Sequence, residues 1–416
     1  MKKILVIVAV ALLVLVVGGL SIYILFFQNR TPEVTNEEYV ANVNEQGERG
    51  QLVPSLNSNY EWPPENGGAE NGALPSAENY QAPETREVRL EIKRIIDGKS
   101  LAPTLTADAT AILYFSPEIG EIFKTDLEGE SLEAMTAAKL SDVYELAWSP
   151  TKDKAAITFS ADSGAARKNI ILNLNDQTVT ELDSRLQSVV FSPNGEQIFY
   201  RFDDPGNDIK KLAVASTDGS DWNEVNAMPG AVAPVLDWYK DGKLTYYQQP
   251  SGYRQAQLYR VDPSGDNFEV LASGGFGISA KWSPNAARFA YIVYPRESSA
   301  MTLVAANDDL SYQREIQLAT LLEKCAWGYD NVTLYCGVPK VINSWNVLPD
   351  DYLKEKLITK DTFYKINTDT GEITKIASSD DFGGSFDVYE PFMSTDNHRM
   401  FFTNRYDGKL YALIMP

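Results

Sequence analysis

The chain has 416 residues, enough for two or three average domains, and its formal charge is −20. The first 30 residues contain three basic residues and no acidic residue, so the remainder carries −23. A surface this acidic repels nucleic acid and anionic lipid, which argues against nucleic-acid binding and favours basic partners.

The first predicted element is Ile4–Phe27, a run of 24 residues without a charge. As a helix it would span about 36 Å, enough to cross a hydrocarbon core of about 30 Å with some tilt. We predict an uncleaved membrane anchor within residues 1–30. A signal peptide cut near Gly18–Ser21 is the alternative, but the apolar run continues past that point. Two lysines precede the run and three glutamates follow it, which predicts a cytoplasmic N-terminus and an extracytoplasmic remainder at the cell membrane.

Residues 31–86 are rich in proline, asparagine and glutamate and poor in aliphatic side chains. Such a segment buries too little apolar surface to offset its ordering entropy, so we predict a flexible linker. A docking segment around Tyr60–Pro64 is the alternative.

The third predicted domain, residues 87–416, repeats one phrase whose clearest copy is Val190–Tyr200. An aromatic residue ends a strand, Ser192-Pro193-Asn194-Gly195 turns the chain, and a second apolar strand follows. The seven copies begin at Leu105, Trp148, Phe191, Trp238, Trp282, Trp327 and Met393. Most steps are 43 to 47 residues, and the last is 66. A period of about 40–45 residues made only of strands is typical of a propeller blade of four strands.

The fold class that we predict is therefore all-β, a seven-bladed β-propeller behind one transmembrane helix and a disordered linker. Six or eight blades stay open, because the first copy is worn and the last step is long. Val88–Ile95 alternates like a strand, whereas the last repeat lacks its outer strand. We expect this early strand to complete the last blade and close the ring, which removes an open edge.

The aromatic-Ser-Pro-x-Gly phrase, with turns such as Asp262-Pro263-Ser264-Gly265, resembles the WD-like repeat of the TolB-type β-propellers. The resemblance covers roughly residues 87–416 and implies a propeller fold. TolB itself has an additional N-terminal α/β domain, to which nothing here corresponds. Prolyl oligopeptidase-like enzymes attach a hydrolase domain to such a propeller. We expect none here, because the chain reaches Pro416 on a propeller strand.

The long step contains an insertion between Cys336 and Thr362, joining the second and third strands of blade six. Pro349-Asp350-Asp351 could start a short helix that continues through Leu357, with acidic residues at its N-terminal end. We consider two roles: a binding loop, or a cover over the channel or a neighbouring blade. The candidate partner-binding residues are Trp345, Asp350, Asp351 and Tyr352.

The only two cysteines, Cys325 and Cys336, flank one hairpin turn and should lie nearly opposite each other. Outside the membrane a disulfide can persist, so we favour a bond over two buried thiols. The recurring tryptophans, such as Trp148 and Trp327, are expected to be wedges between blades. Ser273–Gly277 is glycine-rich and is expected to be a connection between blades.

No catalytic residue, cofactor site or metal site is predicted. The single histidine, His398, lies in a turn, and a zinc site or a Ser-His-Asp triad needs more than the sequence supplies. The acidic pairs Asp203-Asp204, Asp350-Asp351 and Asp380-Asp381 do not follow a calcium-loop pattern.

These observations predict a membrane-anchored, non-catalytic propeller that binds a protein or glycan partner in the cell envelope. A propeller enzyme acting on polysaccharide or peptide is the first alternative. A structural subunit of a surface assembly is the second. The fold alone does not distinguish these three functions.

Overall fold

A computed structural model describes residues 90–160, 167–227, 234–294, 301–343 and 345–416. The predicted anchor at residues 4–27, the linker at 31–86 with its Tyr60–Pro64 segment, and Trp62 lie outside these ranges. Within them, no helix is long and apolar enough to cross a bilayer.

In the described chain, five four-stranded sheets and one seven-stranded sheet, in which two blades share a strand, make seven antiparallel blades; this confirms the predicted all-β propeller and its blade count. The first strand of the chain is β1 (Glu91–Arg94). Blades one to three contain β2 (Leu101–Leu105), β3 (Ala111–Ser116), β4 (Glu121–Asp126), β5 (Glu133–Ala134), β6 (Val143–Trp148), β7 (Lys154–Ser160), β8 (Arg167–Asn173), β9 (Val179–Leu182), β10 (Leu186–Phe191), β11 (Gln197–Asp204), β12 (Ile209–Ser216) and β13 (Asn223–Ala227). Blades four and five contain β14 (Pro234–Lys240), β15 (Lys243–Gln248), β16 (Gln255–Val261), β17 (Glu269–Trp282), β18 (Arg288–Tyr294), β19 (Thr302–Asn307) and β20 (Gln313–Ile316). Blades six and seven contain β21 (Cys325–Trp327), β22 (Thr333–Pro339), β23 (Asp361–Asn367), β24 (Ile373–Ser378), β25 (Val388–Met393), β26 (Arg399–Asn404) and β27 (Lys409–Ile414).

The ring closes as the sequence predicts. β1 pairs antiparallel with β27, from Glu91 opposite Ile414 to Arg94 opposite Tyr411, and so becomes the outer strand of blade seven. The chain then enters blade one, whose Ile112 packs in one cluster with Phe401 and Leu410 of blade seven. The last and first blades therefore share a continuous apolar interface.

The serine of the repeated phrase closes the hairpin turn of the blades that carry it. Ser192 Oγ accepts a hydrogen bond from the backbone N–H of Gln197 at 2.9 Å, and Gly195 adopts φ 71°. Ser283 and Ser394 make the equivalent contact with the residue five positions later, at 3.1 and 2.9 Å. In these blades the phrase recurs because the turn between the first and second strands is closed by the same side chain.

The recurring tryptophans do lie between blades. Trp148 Nε1 donates to the carbonyl of Ala102 at 2.7 Å, and Trp327 Nε1 donates to the carbonyl of Lys281 at 3.0 Å. In both cases the acceptor belongs to the first strand of the preceding blade, so each indole ties its blade to the previous one.

Blades four and five are joined by one long strand, so Ser273–Gly277 does connect two blades, as expected, but as part of a strand. The glycines lie inside β17, which is the outer strand of blade four and then the inner strand of blade five. Gly274 adopts φ 87°, and the pairing register shifts on both sides of this region. Glycine here bends a continuous strand rather than forming a loop.

Among the described residues there are three short helices: α1 (Asp350–Leu353) and the 3₁₀ turns Leu322–Lys324 and Ser379–Phe382. α1 lies in the insertion, but it ends four residues earlier than the predicted Leu357. The backbone of Glu355 takes φ 57°, which is incompatible with a continuing right-handed helix.

Candidate functional site

The insertion between β22 and β23 lies across one end of the ring. Asp350 accepts hydrogen bonds from the backbone N–H of Gly252 at 2.8 Å and from Ser251 Oγ at 3.3 Å, both in the β15–β16 connection of blade four. In the opposite direction, Arg405 of blade seven donates to the carbonyl of Tyr352 at 2.7 Å. A segment that leaves blade six thus reaches blades four and seven, as the cover hypothesis expects.

A buried group of polar side chains, which we call the anchor cluster, holds the base of this insertion. It consists of Lys324, Tyr352, Thr359, Asp361 and Asp387. Lys324 Nζ lies 2.8 Å from Asp361 Oδ2, 2.5 Å from Asp387 Oδ1 and 2.7 Å from Thr359 Oγ1. The Tyr352 hydroxyl donates to Asp387 Oδ1 at 2.9 Å. The network joins the turn before β21, the insertion, β23 and the segment before β25.

The four predicted contact residues differ in their exposure to solvent. Trp345 is 62% exposed, as a contact residue should be. Tyr352 is fully buried and Asp350 is nearly so, because both hold the insertion in place; they contact protein in this structure, and their role in partner binding stays a prediction. Asp351 is partly buried, and its carboxylate accepts from the backbone N–H of Val347 at 2.8 Å within the insertion itself.

The two cysteines form a disulfide, Cys325–Cys336, between directly opposite residues of β21 and β22. Both sulfurs are buried beside the turn that leads to the anchor cluster. The bond therefore fixes the hairpin from which the insertion emerges.

The acidic pairs are occupied by protein partners. Asp203 pairs with Arg201 at 2.8 Å and Asp204 with Arg185 at 2.9 Å. Asp380 pairs with Lys340 and Lys360. In the described part of the chain, no group of three or more His, Cys, Asp or Glu has the geometry of a metal site. His398 lies exposed in its turn.

Sequence reasoning missed a second polar group in blades four to seven, which lies on their inner strands, on β15 and on the turn before β21. Neighbouring first strands of the blades contact one another, as β10 contacts β6 and β14, and β21 contacts β25, so these strands surround the central channel. The channel cluster, as we call it, consists of Asp237, Tyr247, Lys281, Glu323, Tyr389 and Glu390.

The first part of the channel cluster lines a cavity of about 360 Å³ between blades four and five. Asp237, Tyr247 and Lys281 contribute to its wall, together with the stacked pair Tyr239 and Trp282, whose ring centroids are 3.5 Å apart. Among the residues that the structure describes, no side chain is recorded as a hydrogen-bond donor to Asp237. The cavity therefore offers an open carboxylate beside aromatic surface.

The second part of the channel cluster surrounds Lys281 with carboxylates. Lys281 Nζ donates to the carbonyl of Cys325 at 2.7 Å and interacts electrostatically with Glu323 and Glu390. Glu323 Oε1 accepts from Ser279 Oγ at 3.3 Å, while its buried Oε2 has no partner among the described residues. The Lys281 ammonium thus interacts with two carboxylates, and Asp237 lines the same cavity as a third, so acidic groups outnumber basic ones here.

Bulges present two of these carboxylates. The pairing of β14 with β15 shifts register just after Asp237, and that of β25 with β26 shifts between Tyr389 and Phe392. Glu390 lies in the second bulge with φ 46° and has no partner residue across the ladder. A non-glycine residue at positive φ in a bulge is often held there to direct its side chain.

The surroundings of the channel cluster shift its titration. Burial raises the pKa of Asp237 to about 6, and the backbone N–H of Trp238 opposes this only in part. The desolvating protein around Glu390 raises its pKa although the side chain itself is exposed to solvent. Desolvation lowers the pKa of Lys281, and Glu323 and Glu390 oppose that shift. Asp237 and Lys281 are only partly buried, so solvent still reaches groups that protein largely surrounds.

A sequence signal for this site does exist. Asp237 and Lys281 each directly precede the tryptophan that leads a repeat, and Glu323 precedes Trp327 by four residues. A charged residue in an otherwise apolar inner strand must meet water or a partner, and in a propeller the inner strands meet the channel.

Comparison with known proteins supports the fold. No protein-family model matches the chain, and the curated proteins yield no significant match. An oligogalacturonate lyase in complex with manganese has 14% identity and a TM-score of 0.55, covering 80% of this chain and 94% of that chain. A second oligogalacturonate lyase, from Vibrio parahaemolyticus, has 12% identity and a TM-score of 0.56, covering 80% and 95%.

TolB from Acinetobacter baumannii is also similar, with 13% identity and a TM-score of 0.44, covering 72% of this chain and 67% of that chain. At such identities a structural likeness shows the fold and nothing more. The blades of this chain, together with a TM-score of 0.52 to the β-propeller domain of a Myceliophthora thermophila Cps50 (Swd1), confirm the β-propeller that the repeated phrase implied.

Proposed function

We propose that this protein is a membrane-anchored, non-catalytic binding protein of the cell envelope, whose channel cluster receives a cationic group of a basic partner. The observation that carries the proposal is the charge balance of the channel cluster. Asp237, Glu323 and Glu390 outnumber Lys281 and Arg405, the two cations that interact with this cluster, and no side chain of the described residues donates a hydrogen bond to Asp237. An alkylammonium or guanidinium group would supply the missing positive charge and donors.

Two further features support a cationic ligand. The cavity wall includes Tyr247 and Trp282, and aromatic faces attract cations. The net charge of −20 steers basic partners toward the protein over long range. The transmembrane helix at residues 4–27 and the linker at residues 31–86, which the sequence predicts, would hold such a partner close to the membrane.

The test is a calorimetric titration of the full chain in detergent with a short oligolysine peptide. We expect Asp237→Asn and Glu390→Gln each to weaken binding about tenfold, equivalent to about 1.4 kcal/mol. Glu196→Gln is the matched control, because it removes one negative charge from an exposed turn and should leave the affinity unchanged. Equal weakening by all three variants would indicate diffuse charge attraction and would refute a channel site, as would the absence of binding.

One observation favours a catalytic alternative. Asp237, whose pKa is raised, and Lys281, whose pKa is lowered, line the same cavity, and such a pair suits general acid–base chemistry near neutral pH. Oligogalacturonate is the first substrate to try, because it is named for two proteins of the same fold. Turnover that Lys281→Met abolishes would establish the enzyme, and its absence over a panel of acidic polysaccharides would favour the binding protein.

A further inference from the structure

The anchor cluster brings an amine and a carboxyl group together in a site closed to water. Lys324, Asp361 and Asp387 have side chains with zero exposure. Lys324 Nζ lies 2.8 Å from Asp361 Oδ2, close enough for attack on the carboxyl carbon that carries this oxygen. The binding role proposed for the channel makes no use of these groups.

The surroundings of Asp361 resemble an oxyanion site. Thr359 Oγ1 donates to Asp361 Oδ1 at 2.7 Å, and the backbone N–H of Val388 donates to Oδ2 at 2.8 Å. Both carboxyl oxygens thus face a donor, which would stabilise charge that develops on them. Burial also raises the pKa of Asp361, which favours the neutral acid over the carboxylate.

The second carboxylate is placed to accept protons from the amine. Asp387 Oδ1 lies 2.5 Å from Lys324 Nζ and accepts from the Tyr352 hydroxyl, while Oδ2 accepts from the backbone N–H of Thr359 at 2.9 Å. The Tyr352 hydroxyl and the Thr359 N–H can still donate to Asp387 after Lys324 has lost its proton.

We propose that Lys324 and Asp361 condense to an intramolecular isopeptide bond, with Asp387 as the proton shuttle. Asp387 takes a proton from the ammonium of Lys324, and the free amine attacks Cγ of Asp361 in its acid form. The N–Cγ bond forms, and a Cγ–O bond of the carboxyl group breaks. Asp387 passes this proton to the hydroxyl oxygen of Asp361, which leaves as water. Asp387 then takes the second proton from the new amide nitrogen and ends as the neutral acid. The step is a condensation without change of oxidation state, so it requires no external reagent.

The bond would have a clear structural consequence. Lys324 precedes the first strand of blade six and Asp361 begins its third strand, so the crosslink would enclose β21, β22 and the whole insertion in one covalent loop. It would also convert a buried ammonium–carboxylate pair, which is costly to desolvate, into a neutral amide.

The decisive experiment is peptide mapping of the unmodified full chain by mass spectrometry after reduction and protease digestion. The proposal predicts one branched peptide that contains both Lys324 and Asp361, lighter by one water than the sum of its two parts. Separate linear peptides with the sequence masses would overturn it and leave an ion pair. The neighbouring pair Lys340 and Asp380 is exposed and lacks a second carboxylate, so its peptides should remain linear.

Two variants test the assigned roles. Lys324→Arg keeps the positive charge but cannot form the amide, so its digest should contain only linear peptides. Asp387→Asn keeps the shape but removes the proton acceptor, so the branched peptide should fall to a small fraction of the wild-type amount. Undiminished crosslinking in Asp387→Asn would refute the shuttle, and a crosslink to residue 387 itself would refute the assignment of Asp361.

Discussion

Removing the hydroxyl of Tyr352 tests how the insertion is held. In Tyr352→Phe, Asp387 Oδ1 loses a donor at 2.9 Å, and the carbonyl of Val388, 3.1 Å from the same hydroxyl, loses its alternative contact. The ring itself stays, so packing against Arg405, 4.2 Å from the ring centroid, is kept. A buried acceptor left short of a donor costs about 1–3 kcal/mol. We expect the upper half of this range, because the acceptor is a carboxylate.

The assay is urea unfolding of the full chain in detergent, followed by tryptophan fluorescence. The unfolding midpoint of Tyr352→Phe should fall, whereas Tyr253→Phe, a 68% exposed tyrosine at the same end of the ring, should leave it unchanged. Proteolysis within the insertion should also become faster in Tyr352→Phe only. If Tyr352→Phe unfolds at the wild-type midpoint and resists protease equally, the insertion does not depend on the anchor cluster.

Three further predictions concern the channel, the disulfide and a blade interface. The folded pKa of Asp237 lies above its ordinary value of 3.8, at about 6, so the protein loses stability as pH rises through this interval. Asp237→Asn should therefore raise the free energy of unfolding, measured by urea at pH about 8, by less than about 3 kcal/mol, because solvent reaches the group. At pH about 3 the substitution should have no effect. Replacing Cys325 and Cys336 by alanine removes a crosslink between residues 11 positions apart and should lower the free energy of unfolding by about 3 kcal/mol. An unchanged unfolding midpoint would show that the hairpin does not depend on the disulfide. In Gly337→Ala the new Cβ would lie 2.5 Å from Val388 Cβ of blade seven, so we expect the free energy of unfolding to fall by about 1–3 kcal/mol. An unchanged free energy of unfolding would show that Val388 can move aside at little cost.

The sequence predicted the propeller because its signals are local. Ser192 and Ser283 close turns within five residues of themselves, and each copy of the phrase repeats that short-range contact. Closure of the ring by β1 was also predictable, because counting strands leaves the last blade one short. The continuous β17 was not, because glycines that bend a strand look the same in a sequence as glycines in a loop.

The role of the insertion could not be read in the same way. Tyr352 and Asp350 lie in a polar, helix-like segment, and that pattern favours exposure. Their burial depends on Asp387 and Gly252, which lie 35 and 98 positions away along the chain. Only Trp345, which makes none of these contacts, is exposed as predicted.

The most direct test of the proposed channel site is carbodiimide coupling of an oligolysine peptide to the full chain, followed by mass-spectrometric mapping. The reagent joins an amine to a carboxylate without a spacer, and bound amines are captured before free ones, so adducts that free oligolysine competes away report where the cation lies. The account predicts adducts at Asp237, Glu323 or Glu390, competed away by free oligolysine. Adducts spread over exposed acidic residues such as Glu118 and Glu130, with none in the channel cluster, would contradict the proposed channel site.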